Sequence, residues 1–234
     1  MTSFSHSGDA GDVVYSLPVV RFFGGGDVFL SPADFTRVKM TPDRVKLFAR
    51  LLESQEYIGC VKFHWGREVE FNLDSFRERF GECAQCETLV EMHCRKWGVP
   101  EHVLDLPWIS VEPRHDAEVV LNLTTRWRNS DFPWKSVYSK YKDSIGFVGS
   151  KHEHVQFETL YGPVRRIETK DMYDIASVIA GSKLFIGNQS MPLALAHAMQ
   201  HPTVCEYSRF AIDGMHRKIK CVGTAGKNVE LPNL

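Results

Sequence analysis

The sequence predicts an α/β protein of two lobes, each built on a Rossmann-like parallel sheet. Two observations carry that expectation. From Ala117 onward, short apolar runs alternate without a break with amphipathic stretches: AEVVLNL, PWKSVYSKY, SIGFVG, HEHVQFETLYG, VRRIE, DMYDIASVIAG, KLFIG, MPLALAHAM and PTVCE. The apolar runs are too short and too uniformly hydrophobic to be half-solvated, which is the signature of parallel strands buried on both faces. In the stretches between them, apolar residues recur at helical spacing, as at Trp134, Val137, Tyr138 and Tyr141 and again at Met172, Ile175, Ala176 and Ile179.

Element by element, Asp171 offers an N-cap to the helix over 171–181, and Gly181 ends it where a left-handed residue is useful. The first half is less regular but of the same class. A glycine-rich opening leads to a helix over 12–23. A strand at DVFLS, a helix over 42–54 and a strand at YIGCVKF follow, and residues 86–97 read as a helix. The segment LPWISVEPR (106–114) holds two prolines ahead of the regular half and is the expected linker, dividing a lobe at 1–113 from one at 114–234. The tail after Arg209 is basic, with Arg217, Lys218 and Lys220, and is expected to pack back on the lobes or fray.

The chain has 234 residues, of which 43% are hydrophobic, enough for ordinary packed cores. Its 28 basic and 29 acidic residues leave a net charge of -1, so no overall field holds a polyanion. Without an 18-residue apolar stretch or a basic amino-terminal region, a soluble cytoplasmic protein with no transmembrane segment is expected. In that compartment the six cysteines remain thiols. Cys83, Cys86, His93 and Cys94 have spacing acceptable for tetrahedral zinc, but a single CxxC without a second pair points first to ordinary thiols.

Three constellations carry chemistry. His6-Ser-Gly8-Asp9-Ala-Gly11-Asp12 precedes the apolar segment VVYSLPVV. Gly8 and Gly11 permit a tight loop, and Asp12 at its mouth is a candidate general base, unless Asp9 or Asp12 simply caps the helix. Gly187-Asn188-Gln189-Ser190-Met191-Pro192 joins a strand to an apolar helix. Ser190 and the free amides of the first turn, with Asn188 and Gln189, are candidates for a phosphate site, against the blander reading of a polar turn. Thr124-Thr125-Arg126-Trp127-Arg128 follows the first strand of the regular half, and Glu153 follows the second. Arg126 and Arg128 suit phosphate oxygens and Glu153 suits ribose hydroxyls, while solvated charges and a helix-start acid are the alternatives. His6, His152 and His154 are left outside the catalytic set.

These residues resemble the ADP-heptose lipopolysaccharide heptosyltransferases, a family of GT-B fold. Gly11-Asp12-Val13-Val14 and Leu17-Pro18 are similar to the family's base-bearing loop, LNLTTRW and FPW to its Thr-Thr-Arg and Trp-Pro element, and Gly149 to Glu153 to its Gly-x-x-x-Glu element. IGNQSMPLALAHAMQHPTV aligns without gaps to its Gly-Asn-Asp-Ser-Gly-Pro-x-His pattern. Gln189 stands there for an aspartate, Met191 for a glycine and Ala194 for a histidine. The resemblance implies Asp12 as base, Thr125 and Arg126 on the donor phosphates, Arg128 near a family lysine and Glu153 on the nucleoside. It also implies a shortened amino-terminal lobe, because the chain is shorter than a usual member.

The expected activity is metal-independent, inverting transfer of a sugar from a nucleotide-sugar to an acceptor hydroxyl, with no cofactor. No Asp-x-Asp element is present to bridge a diphosphate through metal. The acceptor is open among a glycan, a lipid-linked glycan and a modified nucleic acid. The alternatives are a non-catalytic nucleotide-sugar or nucleic-acid binding protein of the same architecture, and a sugar-nucleotide epimerase or hydrolase.

Overall fold

The computed structural model describes residues 2–34, 39–64, 68–79, 87–208 and 231–234. Two all-parallel sheets stand side by side. The first takes β1 (Ser3–His6), β2 (Gly26–Leu30), β3 (Ile58–Phe63) and β4 (Phe71–Asn72) in the order β3-β2-β1-β4. The second takes β5 (Val119–Asn122), β6 (Ile145–Phe147), β7 (Arg165–Arg166), β8 (Leu184–Asn188) and β9 (Thr203–Glu206) in the order β7-β6-β5-β8-β9. Four strands against five leave the first lobe the smaller among the described residues.

The helices are α1 (Ala10–Phe22), α2 (Pro42–Glu53), α3 (Leu89–Lys96), α4 (Trp134–Tyr141), α5 (Lys151–Tyr161), α6 (Met172–Ala180) and α7 (Met191–Ala198). Every strand and helix expected from pattern is present within a few residues. β1 was not expected, because only Phe4 among its four residues is strongly apolar. Its backbone is satisfied from both sides, by β2 with Ser3 opposite Asp27 and by β4 with Phe4 opposite Phe71. Pairing rather than composition makes it a strand.

Two local readings are corrected. Gly181 is not left-handed, since its φ is -84°; a Cβ there would sit 2.3 Å from the Arg114 carbonyl oxygen, so close packing is what requires glycine. Asp9 occupies the N-cap of α1 without making a side-chain cap bond. Asp171, in contrast, caps α6 as expected, accepting from the Asp174 amide at 2.8 Å.

One apolar core runs through both lobes, joining Phe4, Leu17, Val28 and Leu51 to Val120, Phe185, Leu193 and Ala196. A second, formed by Leu121, Trp134, Phe147, Phe157, Ile186 and Val204, lies under the other face of the larger sheet. Pro18 lies inside α1 and has no amide hydrogen to give to the Val14 carbonyl one turn back. The Trp108 indole takes that carbonyl instead, at 3.0 Å. The expected linker is therefore built into the core: Trp108 and Ile109 are both buried, and their amides donate to the Ala198 carbonyl at 2.9 and 3.3 Å. Of the basic tail, Arg209 to Lys220 lie outside the described residues, while Leu231 packs against the second core and its carbonyl accepts from Lys140.

Candidate functional site

Both sheets point their carboxyl edges at one cavity of about 670 Å³ between the lobes, within the usual range for a small-molecule site. The first lobe contributes the loop between β1 and α1, part of α2, and Arg77 from the 3-10 turn over Leu73–Arg79. The second contributes the turns that follow β5, β6, β7 and β8. Gly8, Gly11, Asp12, Thr125, Arg126, Glu153, Gln189 and Ser190 all line it. Asn188 and Arg128 do not.

Asp12 sits in the first turn of α1 with its carboxylate paired to the Arg77 guanidinium. Burial raises its pKa above the usual 3.8, opposed chiefly by the Arg77 guanidinium. A network behind the pair fixes the loop. Asp74 Oδ2 accepts from the Ser7 amide at 2.9 Å and the Ser7 hydroxyl at 2.6 Å. His6 Nδ1 accepts from the Gly8 amide at 2.8 Å. A Cβ on Gly8 would lie 2.5 Å from the His6 ring and 2.9 Å from both Arg77 and Asp12, so this position needs glycine for space. Gly11 is different. It lies within the helix rather than the loop, and a Cβ would meet only the Ala194 methyl at an ordinary 3.7 Å.

The opposite wall is held by buried polar groups. Asn188, fully buried, accepts from the Thr124 amide at 3.0 Å and donates to the Thr124 and Arg126 carbonyls at 3.1 and 2.5 Å. Its role is to shape the Thr124–Arg126 turn, which corrects the expectation that it touches ligand. Arg126 emerges from that turn with Nη1 3.5 Å from Asp9 Oδ2, bridging the lobes across the cavity. Arg128 points away. Its Nε lies 3.1 and 3.2 Å from the two oxygens of Glu206, and Nη2 donates to the Tyr161 hydroxyl at 3.1 Å. Burial works against its charge, but Glu206 outweighs that and raises the pKa, so Arg128 is held as a cation against Glu206, outside the cavity lining where a phosphate ligand was expected.

Three expected ligand residues face the cavity while also serving the backbone. Glu153 closes a capping box on α5: one of its oxygens accepts from the Ser150 amide at 2.9 Å and the hydroxyl at 2.8 Å. Gln189 accepts from the Ser208 amide at 2.9 Å. Ser190 occupies the N-cap of α7 but its hydroxyl lies 2.8 Å from Asn122 Oδ1 and 3.0 Å from the Asn188 carbonyl, leaving the first turn without a side-chain cap. Such a turn presents free amides and partial positive charge to an anion.

Arg77, Asp74, Tyr15 and Glu206 were not singled out from sequence. Arg77 and Asp74 sit in NLDSFRER, which has no motif spacing, and they reach the loop at Ser7–Asp12 only because β4 pairs with β1. His93 and Cys94, half of the possible zinc set, are buried in α3. Burial pushes the Cys94 thiol up to about 12, so it stays protonated, and the His93 ring packs 3.9 Å from that of Phe76. Cys83 and Cys86 lie outside the described residues, and among those residues no cluster of three metal-binding side chains occurs.

No family model matches the chain, and no curated protein matches its sequence. Solved structures match its fold. It is similar to Escherichia coli heptosyltransferase WaaC with ADP-2-deoxy-2-fluoro heptose, at TM-score 0.55 and 12% identity, covering 87% of each chain. The same enzyme with ADP matches at TM-score 0.54 and 12% identity, covering 87% of this chain and 86% of that one. A glycosyl transferase family 9 structure from Veillonella parvula DSM 2008 matches at TM-score 0.59 and 10% identity, covering 95% of this chain and 85% of that one. The fold is thus the two-lobed GT-B type. Among the described residues no helix is long and apolar enough to cross a membrane.

Proposed function

We propose that the chain is a glycosyltransferase that takes a nucleotide-sugar donor and moves its sugar to an acceptor hydroxyl with inversion. The observation that carries this reading is one cavity with a carboxylate on one wall, Asp12, and on the other an arginine, Arg126, beside the uncapped start of α7. In the reaction Asp12 takes the acceptor hydroxyl proton while the oxygen bonds to the anomeric carbon. The bond from that carbon to the diphosphate breaks on the opposite face, and the nucleoside diphosphate leaves with the electron pair. Arg126, Thr125, Ser190 and the α7 amides stabilise the charge on the leaving diphosphate, and Glu153 faces the ribose. Positive charge supplied this way performs the task that a metal performs elsewhere, so the proposed reaction is metal-independent.

Binding without turnover is favoured by one feature, the engagement of Asp12 by Arg77. A single experiment separates the two. Thermal shifts of the full chain with ADP-, UDP-, GDP- and CDP-sugars identify the donor, and release of nucleoside diphosphate is then followed with water and with candidate glycan acceptors. Stabilisation with slow release that Asp12→Asn abolishes supports transfer. Stabilisation with no release under any condition supports a binding protein, and no stabilisation by any donor defeats both.

A further inference from the structure

His6 ends β1 and is fully buried behind the loop that leads to Asp12. Its Nδ1 accepts from the Gly8 amide at 2.8 Å, two residues on, the same contact that an Asx turn makes with a side-chain oxygen. An imidazole nitrogen accepts only when it carries no proton, so His6 is neutral here with its proton on Nε2. That N–H has no hydrogen-bond partner among the described residues, and both nitrogens of His93, whose ring lies 5.5 Å away, have none either. Nothing on the Nε2 side selects the tautomer; the Gly8 amide does. A second neighbour faces the same nitrogen. Asp74 Oδ1 lies 3.5 Å from His6 Nδ1, is buried and accepts no hydrogen bond among the described residues, while Oδ2 of that carboxylate holds the Ser7 amide and hydroxyl. Arg77 Nε, at 3.9 Å from Oδ1, is too far to bond it.

Nδ1 serves one of these two neighbours at a time. Without a proton it accepts from Gly8; with one it becomes a donor, repels the Gly8 N–H and has Asp74 Oδ1 as its acceptor. Gly8 has no room to shift independently of the base, since a Cβ there would lie 2.5 Å from the His6 ring and 2.9 Å from both Arg77 and Asp12. We infer that His6 is a positioning residue for the base: neutral, it anchors the Asp12 loop through Gly8, and a proton on Nδ1 exchanges that anchor for Asp74 and withdraws Asp12 from its working position. The anchor concerns the loop alone, whereas its effect on turnover rests on the transfer reading above. The titratable and charged groups around the ring are Asp74 and Arg77 of the 3-10 turn, Asp12 of α1 and His93 of α3. Burial, aided by the Arg77 charge, resists protonation and outweighs the two carboxylates, so His6 titrates below its ordinary 6.5. The loop is thus anchored at neutral pH and released in acid.

Three forms of the full chain test this: wild type, His6→Asn, whose side-chain oxygen accepts from Gly8 but does not titrate, and His6→Leu, which fills a similar space and accepts nothing. Hydrogen exchange of the Gly8 amide, followed by NMR and divided by its intrinsic rate, reads the anchor without any substrate. In wild type, protection of Gly8 should fall about tenfold, the worth of one hydrogen bond, as the His6 ring titrates between about pH 7.5 and about pH 5. His6→Asn should keep its protection throughout, and His6→Leu should lack it. Release of nucleoside diphosphate from the donor that stabilises the chain should fall about 10²-fold in kcat in His6→Leu, the usual cost of a 1 Å misplacement, with donor affinity held. His6→Asn should restore most of that rate, and the acid side of its pH profile should follow the ionisation of Asp12 alone. Equal protection and equal rate in His6→Leu and His6→Asn would show that the side chain only fills space and would overturn the inference. Wild-type protection that stays constant while His6 titrates would overturn it too. Should His6→Leu fail to fold, wild type against His6→Asn still decides, because only the titrating side chain loses Gly8 in acid. Protection that tracks His6 in a chain that turns over no donor would uphold the anchor and remove only the transfer reading.

Discussion

The two walls of the cavity are held by different physics. The first-lobe loop that presents Asp12 is fixed by charges and imidazoles, with Arg77, Asp74 and His6 as its partners. The second-lobe turns are fixed by Asn188, which cannot titrate, and by Glu206, a fully buried carboxylate. Glu206 accepts from Arg128, from the Asn129 amide at 2.6 Å and from the Trp134 indole at 2.8 Å. The Asp12 wall is held by ionisable side chains that pair with one another, whereas the second-lobe turns are held by side chains whose hydrogen bonds are saturated within the fold. The difference explains why Arg128, adjacent in sequence to the cavity-facing turn, belongs to the scaffold.

The sharpest way to break this comparison is at the Asp12 wall. Asp12→Asn is expected to lower turnover by about 10² to 10⁴-fold while nucleotide-sugar affinity stays within the wild-type range. The wild-type rate should rise with pH as Asp12 ionises, with a midpoint above the ordinary 3.8. Equal turnover in the variant would remove Asp12 as base.

On the saturated wall, Glu206→Ala leaves Arg128 and two further donors without their acceptor. Urea unfolding should show a loss of about 3 to 5 kcal/mol, typical of a broken buried pair. A loss below about 1 kcal/mol, the level of an exposed pair, would mean that Arg128 is free to serve ligand. Arg126→Ala, whose side chain is half-exposed and bridges to Asp9, should leave stability nearly unchanged and weaken nucleotide binding by about tenfold or more, as loss of a charge-assisted bond does.

Titration tests the buried imidazoles packed behind the Asp12 loop. Burial holds the pKa of both His6 and His93 below the ordinary 6.5, so they are neutral in the fold and take up protons more readily when it opens. The stability they contribute is complete above the unfolded value and is lost as pH falls below it, toward the folded pKa. Asp12, raised by burial, contributes with the opposite sign, since its cost falls away on protonation. His93→Phe should therefore flatten the decline in urea midpoint on going from pH 7.5 to about pH 5, and an unchanged slope would clear His93 of that role. The smallest effects are expected at two glycines, Gly8 in the loop before α1 and Gly11 in its first turn. Gly11→Ala should stabilise by about 0.5 to 1 kcal/mol, as alanine does in a helix, whereas Gly8→Ala should destabilise because His6, Arg77 and Asp12 crowd that Cβ.

Much of the fold was legible in the chain. The runs VVLN, GF and LFIGN, buried at every position, and the 3.6-residue stripes on α4 and α6 are local signals, strong because a parallel strand hides both faces and a surface helix only one. Asp12, Thr125, Arg126 and Ser190 were legible for a related reason: in a parallel α/β sheet, every strand-to-helix turn emerges on one edge. That topological rule places turns together without any knowledge of contacts.

Sequence alone, then, determined the alternation of elements and the set of turns from which a ligand site had to be drawn, because periodicity and turn chemistry are properties of neighbouring residues. Tertiary structure decided which side chains in those turns remain available. Asn188 and Arg128 look as ligand-like in the sequence as Arg126 does, yet one is consumed by the Thr124–Arg126 turn and the other by Glu206, 78 residues away. Arg77 is brought beside Asp12 by the pairing of β4 with β1, and α2 reaches the cavity because Val45, Phe48, Leu51 and Leu52 seat it in the shared core. Contacts of such sequence separation depend on how the lobes pack, and no local pattern encodes them.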